Sequence, residues 1–71
     1  MAEKVECYSG YEYPERPYAF QWEQRRLEIA EILKTWRTPQ GKVFRVRIED
    51  MQVYELVYRA VEDDWLITQI R

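Results

Sequence analysis

The side chains in this chain that could do chemistry are cations set among aromatic rings. Arg45 and Arg47 stand two apart, so an extended backbone puts both on one face. Lys42, Arg37, Lys34, Arg26 and Arg25 precede them, with Trp36 in their midst. Such a mixture suits single-stranded nucleic acid, because the cations follow phosphates while bases stack on the ring. Arg25, Arg26, Lys34, Trp36, Arg37, Lys42, Arg45 and Arg47 therefore form one candidate binding set. A second set is Tyr8, Tyr11, Tyr13 and Tyr18, punctuated by Pro14 and Pro17. Tyrosine offers a large, stiff contact surface with a polar tip, which suits a protein partner.

Catalysis has little to work with. There is no histidine, so the usual general base and the Ser–His and Cys–His nucleophile pairs are absent. Asp63-Asp64 and Glu49-Asp50 are adjacent carboxylates, which diverge in a strand and are solvated in a turn; both read as turn residues. A lone Cys7 makes no disulfide within the chain and no Cys/His zinc site. Glu6 beside it raises its pKa, so Cys7 reads as a small packing residue rather than a reactive thiol. Gly10 and Gly41 are too far apart for a phosphate loop. Neither an enzyme nor a bound metal or cofactor is expected.

The net charge of −2 over 71 residues conceals three blocks. Residues 1–15 carry Glu3, Glu6, Glu12 and Glu15 against Lys4, a balance of −3. Residues 16–47 carry eight Lys and Arg against Glu23, Glu28 and Glu31, a balance of +5. Residues 48–71 carry six Asp and Glu against Arg59 and Arg71, a balance of −4. Such blocks either present a local field to a charged partner or neutralise one another across neighbouring strands.

Something must position these groups, and the alternation of apolar residues says what. Phe44, Val46 and Ile48 alternate with Arg45 and Arg47, the half-buried strand pattern. Tyr18, Phe20 and Trp22 fall on one face of a second strand. Tyr54, Leu56, Tyr58 and Ala60 alternate with Val53, Glu55, Val57 and Arg59, and residues 65–70 form a β-rich end. Val5-Glu6-Cys7-Tyr8 has room for a short edge strand. Thr38-Pro39-Gln40-Gly41 reads as a hairpin turn, with Pro presetting φ and Gly supplying a left-handed residue. Residues 23–36 are ambiguous. Ile29, Ile32, Leu33 and Trp36 have helical spacing, whereas a strand bulged near Ala30 and Glu31 would bring Leu27, Ile29, Ile32 and Trp36 to one side.

From Pro17 onward the chain resembles a small bacterial family of unknown function. The pattern is Pro-x-x-Phe-x-Trp (Pro17, Phe20, Trp22), then Arg25 and Arg26, Leu-x-x-Trp-Arg (Leu33, Trp36, Arg37), Arg45-Val46, Tyr54-Glu55-Leu56 and a closing Trp65. The resemblance implies a hairpin after Trp22 and favours a strand over residues 27–36. It also implies turn glycines near positions 24 and 51, where this chain has Gln24 and Met51. Some members are encoded near translesion-polymerase accessory genes, which implies a link to nucleic-acid metabolism.

The expected fold is all-β: an antiparallel meander of about five strands, curled into a barrel or strongly twisted sheet. The alternative is α+β, with one helix at 23–36. Residues 1–17 are expected to form an arm or edge strand, and 18–71 the β domain. No apolar run approaches the ~20 residues of a membrane span, and no signal peptide opens the chain, so a cytoplasmic location is expected. The expected function is a protein-interaction or self-association module, with single-stranded nucleic-acid binding as the alternative.

Overall fold

A computed structural model describes residues 4–8 and 16–70 of the chain. They form six strands: β1 (Val5–Tyr8), β2 (Arg16–Trp22), β3 (Arg25–Thr38), β4 (Gly41–Ile48), β5 (Val53–Arg59) and β6 (Asp64–Ile70). Each pairs antiparallel with its neighbour in sequence, giving the order β1-β2-β3-β4-β5-β6. The sheet curls into a half-barrel with its core on the inner face. The all-β expectation holds, and the sixth strand is the short segment at Val5–Tyr8.

Residues 23–36 are a hairpin turn and a strand, not a helix. Local propensity loses here because β3 has long partners to satisfy its backbone and bury its apolar residues. Its first part pairs with β2, from Trp22 opposite Arg25 to Ala19 opposite Glu28. Its remainder pairs with β4, from Ile29 opposite Ile48 to Thr38 opposite Gly41. The register slips twice, once at Ala30 and again at Leu33. The first slip is the bulge that the apolar spacing called for, and it keeps Ile29 and Ile32 inward opposite Ile48 and Val46. The second reverses the alternation, so Thr35 faces inward opposite Phe44 and Trp36 faces outward opposite Val43. Trp36 therefore does not join Leu27, Ile29 and Ile32 on the core side. A single bulge would have put it there.

A similar slip between Glu6 and Cys7 displaces Tyr18 from the inner face. Cys7 is opposite Pro17, and Pro17 takes the buried position that simple alternation gives to Tyr18. The core proper is Phe20, Phe44, Val46, Ile48, Tyr54, Leu56, Trp65 and Ile67. Burying each of these large apolar side chains contributes roughly 1.5–3 kcal/mol. Aromatic contacts join strands that are not neighbours in the sheet. Phe20 and Trp22 of β2 meet the Tyr54 ring of β5 at 5.0 and 5.4 Å, and Phe44 meets Trp65 at 6.0 Å.

The turns carry the remaining strain. Trp22 and Arg25 close a two-residue hairpin in which Glu23 and Gln24 have φ of 50° and 67°. Both values are those of a type I′ turn, whose usual residues are Asn and Gly. Between β4 and β5, Met51 N–H donates to Ile48 O at 3.1 Å and Ile48 N–H donates to Gln52 O at 3.0 Å. Met51 is the left-handed residue of this loop, with φ of 73°. Positions 24 and 51 thus adopt the geometry that favours glycine, without having it. Gly41 has φ of +158°, far from the left-handed basin, and the reason for glycine there is space. A Cβ would lie 1.9 Å from the Tyr58 carbonyl oxygen.

Candidate functional site

The basic set is split by the sheet. Because strand neighbours alternate, Lys34, Trp36, Arg45 and Arg47 lie on the outer face of β3 and β4, while Arg37 and Lys42 face each other on the inner side. Arg25 is opposite Trp22 and Arg26 opposite Gln21, at the β2–β3 turn. No single face collects all seven cations.

Several of them already have carboxylate partners. Arg45 donates to Glu55 Oε2 at 2.6 Å, directly across the β4–β5 ladder. Arg47 donates to Glu31 Oε1 at 3.2 Å across β3–β4. Arg26 reaches Glu6 at 2.8 Å and Glu28 at 3.0 Å, an arch that leaves Ala19, their common ladder neighbour, fully buried. Arg26 holds the Glu6 carboxyl below its usual pKa, and both carboxylates raise that of Arg26. Arg59 does the same for Asp64 at 2.7 Å. Much of the +5 block is therefore neutralised by its acidic neighbours.

Other cations lie over rings. Lys34 Nζ and the Arg45 guanidinium stand 5.6 and 5.5 Å from the Trp36 ring centre. Lys42 sits 5.2 Å from Phe44, and Arg16 sits 5.1 Å from Tyr8. Among the described residues neither Lys34 nor Arg16 pairs with a carboxylate.

The tyrosine set fares differently. Tyr8 and Tyr18 come together with ring centres 4.7 Å apart, and remain 52% and 37% exposed. Tyr11 and Tyr13 lie outside the described residues. The Tyr8 and Tyr18 pair borders a cleft of about 380 Å³ lined also by Arg16, Pro17, Ile29, Ala30, Glu31 and Ile32. The cleft exists because β2 and β3 part company after Ala19 opposite Glu28. Beyond that point, among the described residues, β3 pairs only with β4, so no described strand lies along the other backbone edge of residues 29–38. Unpaired N–H and C=O groups along that edge are a template for another extended chain.

Sequence reasoning missed Arg16, Pro17 and the Ile29 to Ile32 wall of this cleft. Their signal was the length of β3: at 14 residues it is twice β2 and nearly twice β4, so no single neighbour can cover it. Cys7 is half-buried against the core, and burial pushes its thiol up to about 11. The cause is desolvation rather than the charge of Glu6. Among the described residues no cluster of Cys, Asp and Glu could hold a metal ion, and no helix is long and apolar enough to cross a membrane.

No family model matches the chain, and no curated protein or solved structure matches it. The resemblance seen from Pro17 to Trp65 rests on those residues alone.

Proposed function

We propose that this chain is a protein-interaction module that takes an extended segment of a partner as an added strand along the free edge of β3. The observation that carries this reading is the early end of the β2–β3 ladder, which, among the described residues, leaves 29–38 unpaired on one side next to an open cleft. Main-chain hydrogen bonds to β3 would supply affinity, and the cleft would supply selectivity. Tyr8 and Tyr18 offer exposed rings at one end, with Arg16 over Tyr8 and Lys34 further along. Two cations that pair with no carboxylate among the described residues favour a segment bearing acidic side chains.

Single-stranded nucleic acid would use the outer face of Lys34, Trp36, Arg45 and Arg47 instead. The protein partner is favoured because Glu55 and Glu31 already occupy the guanidinium groups of Arg45 and Arg47, where phosphate would have to bind.

Selection from a random displayed peptide library, followed by titration of the selected peptides into isotope-labelled protein, tests the reading. Extended acidic peptides should shift amides of residues 29–38 and of Tyr18. Binding should weaken roughly fivefold or more when Arg16 and Lys34 are both replaced by Ala, since a lost charge contact is worth about 1 kcal/mol. Failure to select any peptide, or shifts confined to other strands, refutes it. So would oligonucleotides that shift the Lys34, Trp36 and Arg45 face while peptides shift nothing.

A further inference from the structure

The sheet has a second uncovered edge at its other end. β6 is last in the strand order and, among the described residues, pairs only with β5. Proteins usually disarm such an edge with charges, proline, bulges or shortness. β1 is four residues long and its register slips at Glu6. The open side of β3 carries two slips, with Lys34 and Arg37 along it. Beyond its first residue, Asp64, which is tied to Arg59, β6 has none of these devices. Its register with β5 is unbroken over seven residues, from Arg59 opposite Asp64 to Val53 opposite Ile70. From Trp65 to Ile70 the sequence is Trp-Leu-Ile-Thr-Gln-Ile, with no charge, proline or glycine.

We infer that β6 is a self-pairing edge: two copies of this chain join β6 to β6, antiparallel about a two-fold axis, so that one sheet runs through both. The chemistry of the edge selects this occupant. A two-fold axis sets the strand against itself, so a charge near its centre would meet its own like at close range. An uncharged centre meets that condition, and it gives a charged foreign strand nothing to recognise. The contact also closes on itself. Each copy has one β6, and pairing consumes both edges, so no filament grows from it.

The faces agree with this arrangement. A two-fold axis normal to the sheet keeps inner residues with inner ones and outer with outer. Leu66, 43% exposed, ends an outer row in which Trp36, Val43, Val57 and Leu66 are successive ladder neighbours. In the pair this apolar row runs up to the outer face of the second copy's β6. The core gains as well: a chain of 71 residues without an internal disulfide buries a smaller share of its surface alone than a larger domain does.

Sedimentation velocity across a concentration series tests the inference on the full chain. A reversible monomer–dimer equilibrium is expected, with β6 amides protected from hydrogen exchange only in the dimer. Thr68→Lys places a charge at the middle of the exposed edge and should raise the dissociation constant at least tenfold. Val61→Lys, in the fully exposed β5–β6 turn, should leave it unchanged, and circular dichroism checks that both variants keep the β fold. A strictly monomeric chain at every concentration overturns the inference. A dimer insensitive to Thr68→Lys, or one broken instead by Leu33→Glu on the β3 edge, overturns it too. The peptide titration at β3 reads a different edge, so either result stands without the other.

Discussion

The β2–β3 turn makes a quantitative demand that a single substitution can test. Glu23 and Gln24 both have positive φ, with values of 50° and 67°, and neither is Asn or Gly. Holding an L-residue in the left-handed region costs roughly 1–2 kcal/mol. Gly removes that cost, but it enlarges the unfolded ensemble by roughly 0.5–1 kcal/mol. Gln24 is exposed. The difference predicts that Gln24→Gly stabilises the domain by about 0.5–1 kcal/mol. For a domain of this size that raises Tm by roughly 2–8 °C. Thermal melts followed by tryptophan fluorescence, with urea titrations in parallel, measure it at one fixed protein concentration. Gln21→Gly is the matched control: Gln21 is exposed on β2 and its φ is negative. That variant should lose about 0.5–1 kcal/mol, because the entropic penalty is no longer offset. If Gln24→Gly lowers Tm as much as Gln21→Gly does, the strain assigned to this turn is refuted.

Gly41→Ala should act in the opposite direction. Its Cβ would sit 1.9 Å from the Tyr58 carbonyl oxygen, so the β4–β5 ladder must shift, at a cost of roughly 1–3 kcal/mol in urea titration. Acid should weaken the fold through Glu6 and Asp64, whose carboxyls Arg26 and Arg59 hold below their ordinary values of 4.5 and 3.8. A depressed carboxyl contributes stability above its unfolded value and loses it as pH falls through the folded one. The urea midpoint should therefore fall as pH drops below about 4.5, and less steeply in Glu6→Gln. Cys7, with its thiol pushed up to about 11, should react with iodoacetamide at pH 8 far more slowly than a free cysteine. Equal rates would mean that the thiol is not packed against the core.

The alternating segments were legible because period two survives wherever a strand has one dry face. Phe44, Val46, Ile48, Tyr54 and Leu56 are buried where the pattern puts them. Two of the left-handed positions, Gln24 and Met51, could be anticipated from the glycines that a resembling family implies there. What was hidden is the phase of each strand after a bulge. A slip of one residue moves everything beyond it to the other face; the apolar spacing marks the first slip at Ala30, but nothing in the local sequence of Leu33 marks the second. For that reason Trp36 does not share a side with Leu27, Ile29 and Ile32, and Tyr18 does not share the buried face of Phe20. The basic block was visible as a count, but its neutralisation depends on which carboxylate stands across the ladder. Glu55 lies ten residues from Arg45 and Glu31 lies sixteen from Arg47.

The sequence by itself determined the β class, the absence of histidine chemistry and the aromatics that fill the core in place of a disulfide. Composition and period suffice for these, since they depend on which side chains exist and how often they recur. The tertiary structure alone decided that β3 is shared between two partners, that Arg45 and Arg47 are matched by carboxylates, and that β3 and β6 present open edges of different character. Strand pairing is a long-range choice. Whether an edge is covered depends on where a distant ladder ends, and no window of sequence holds that information.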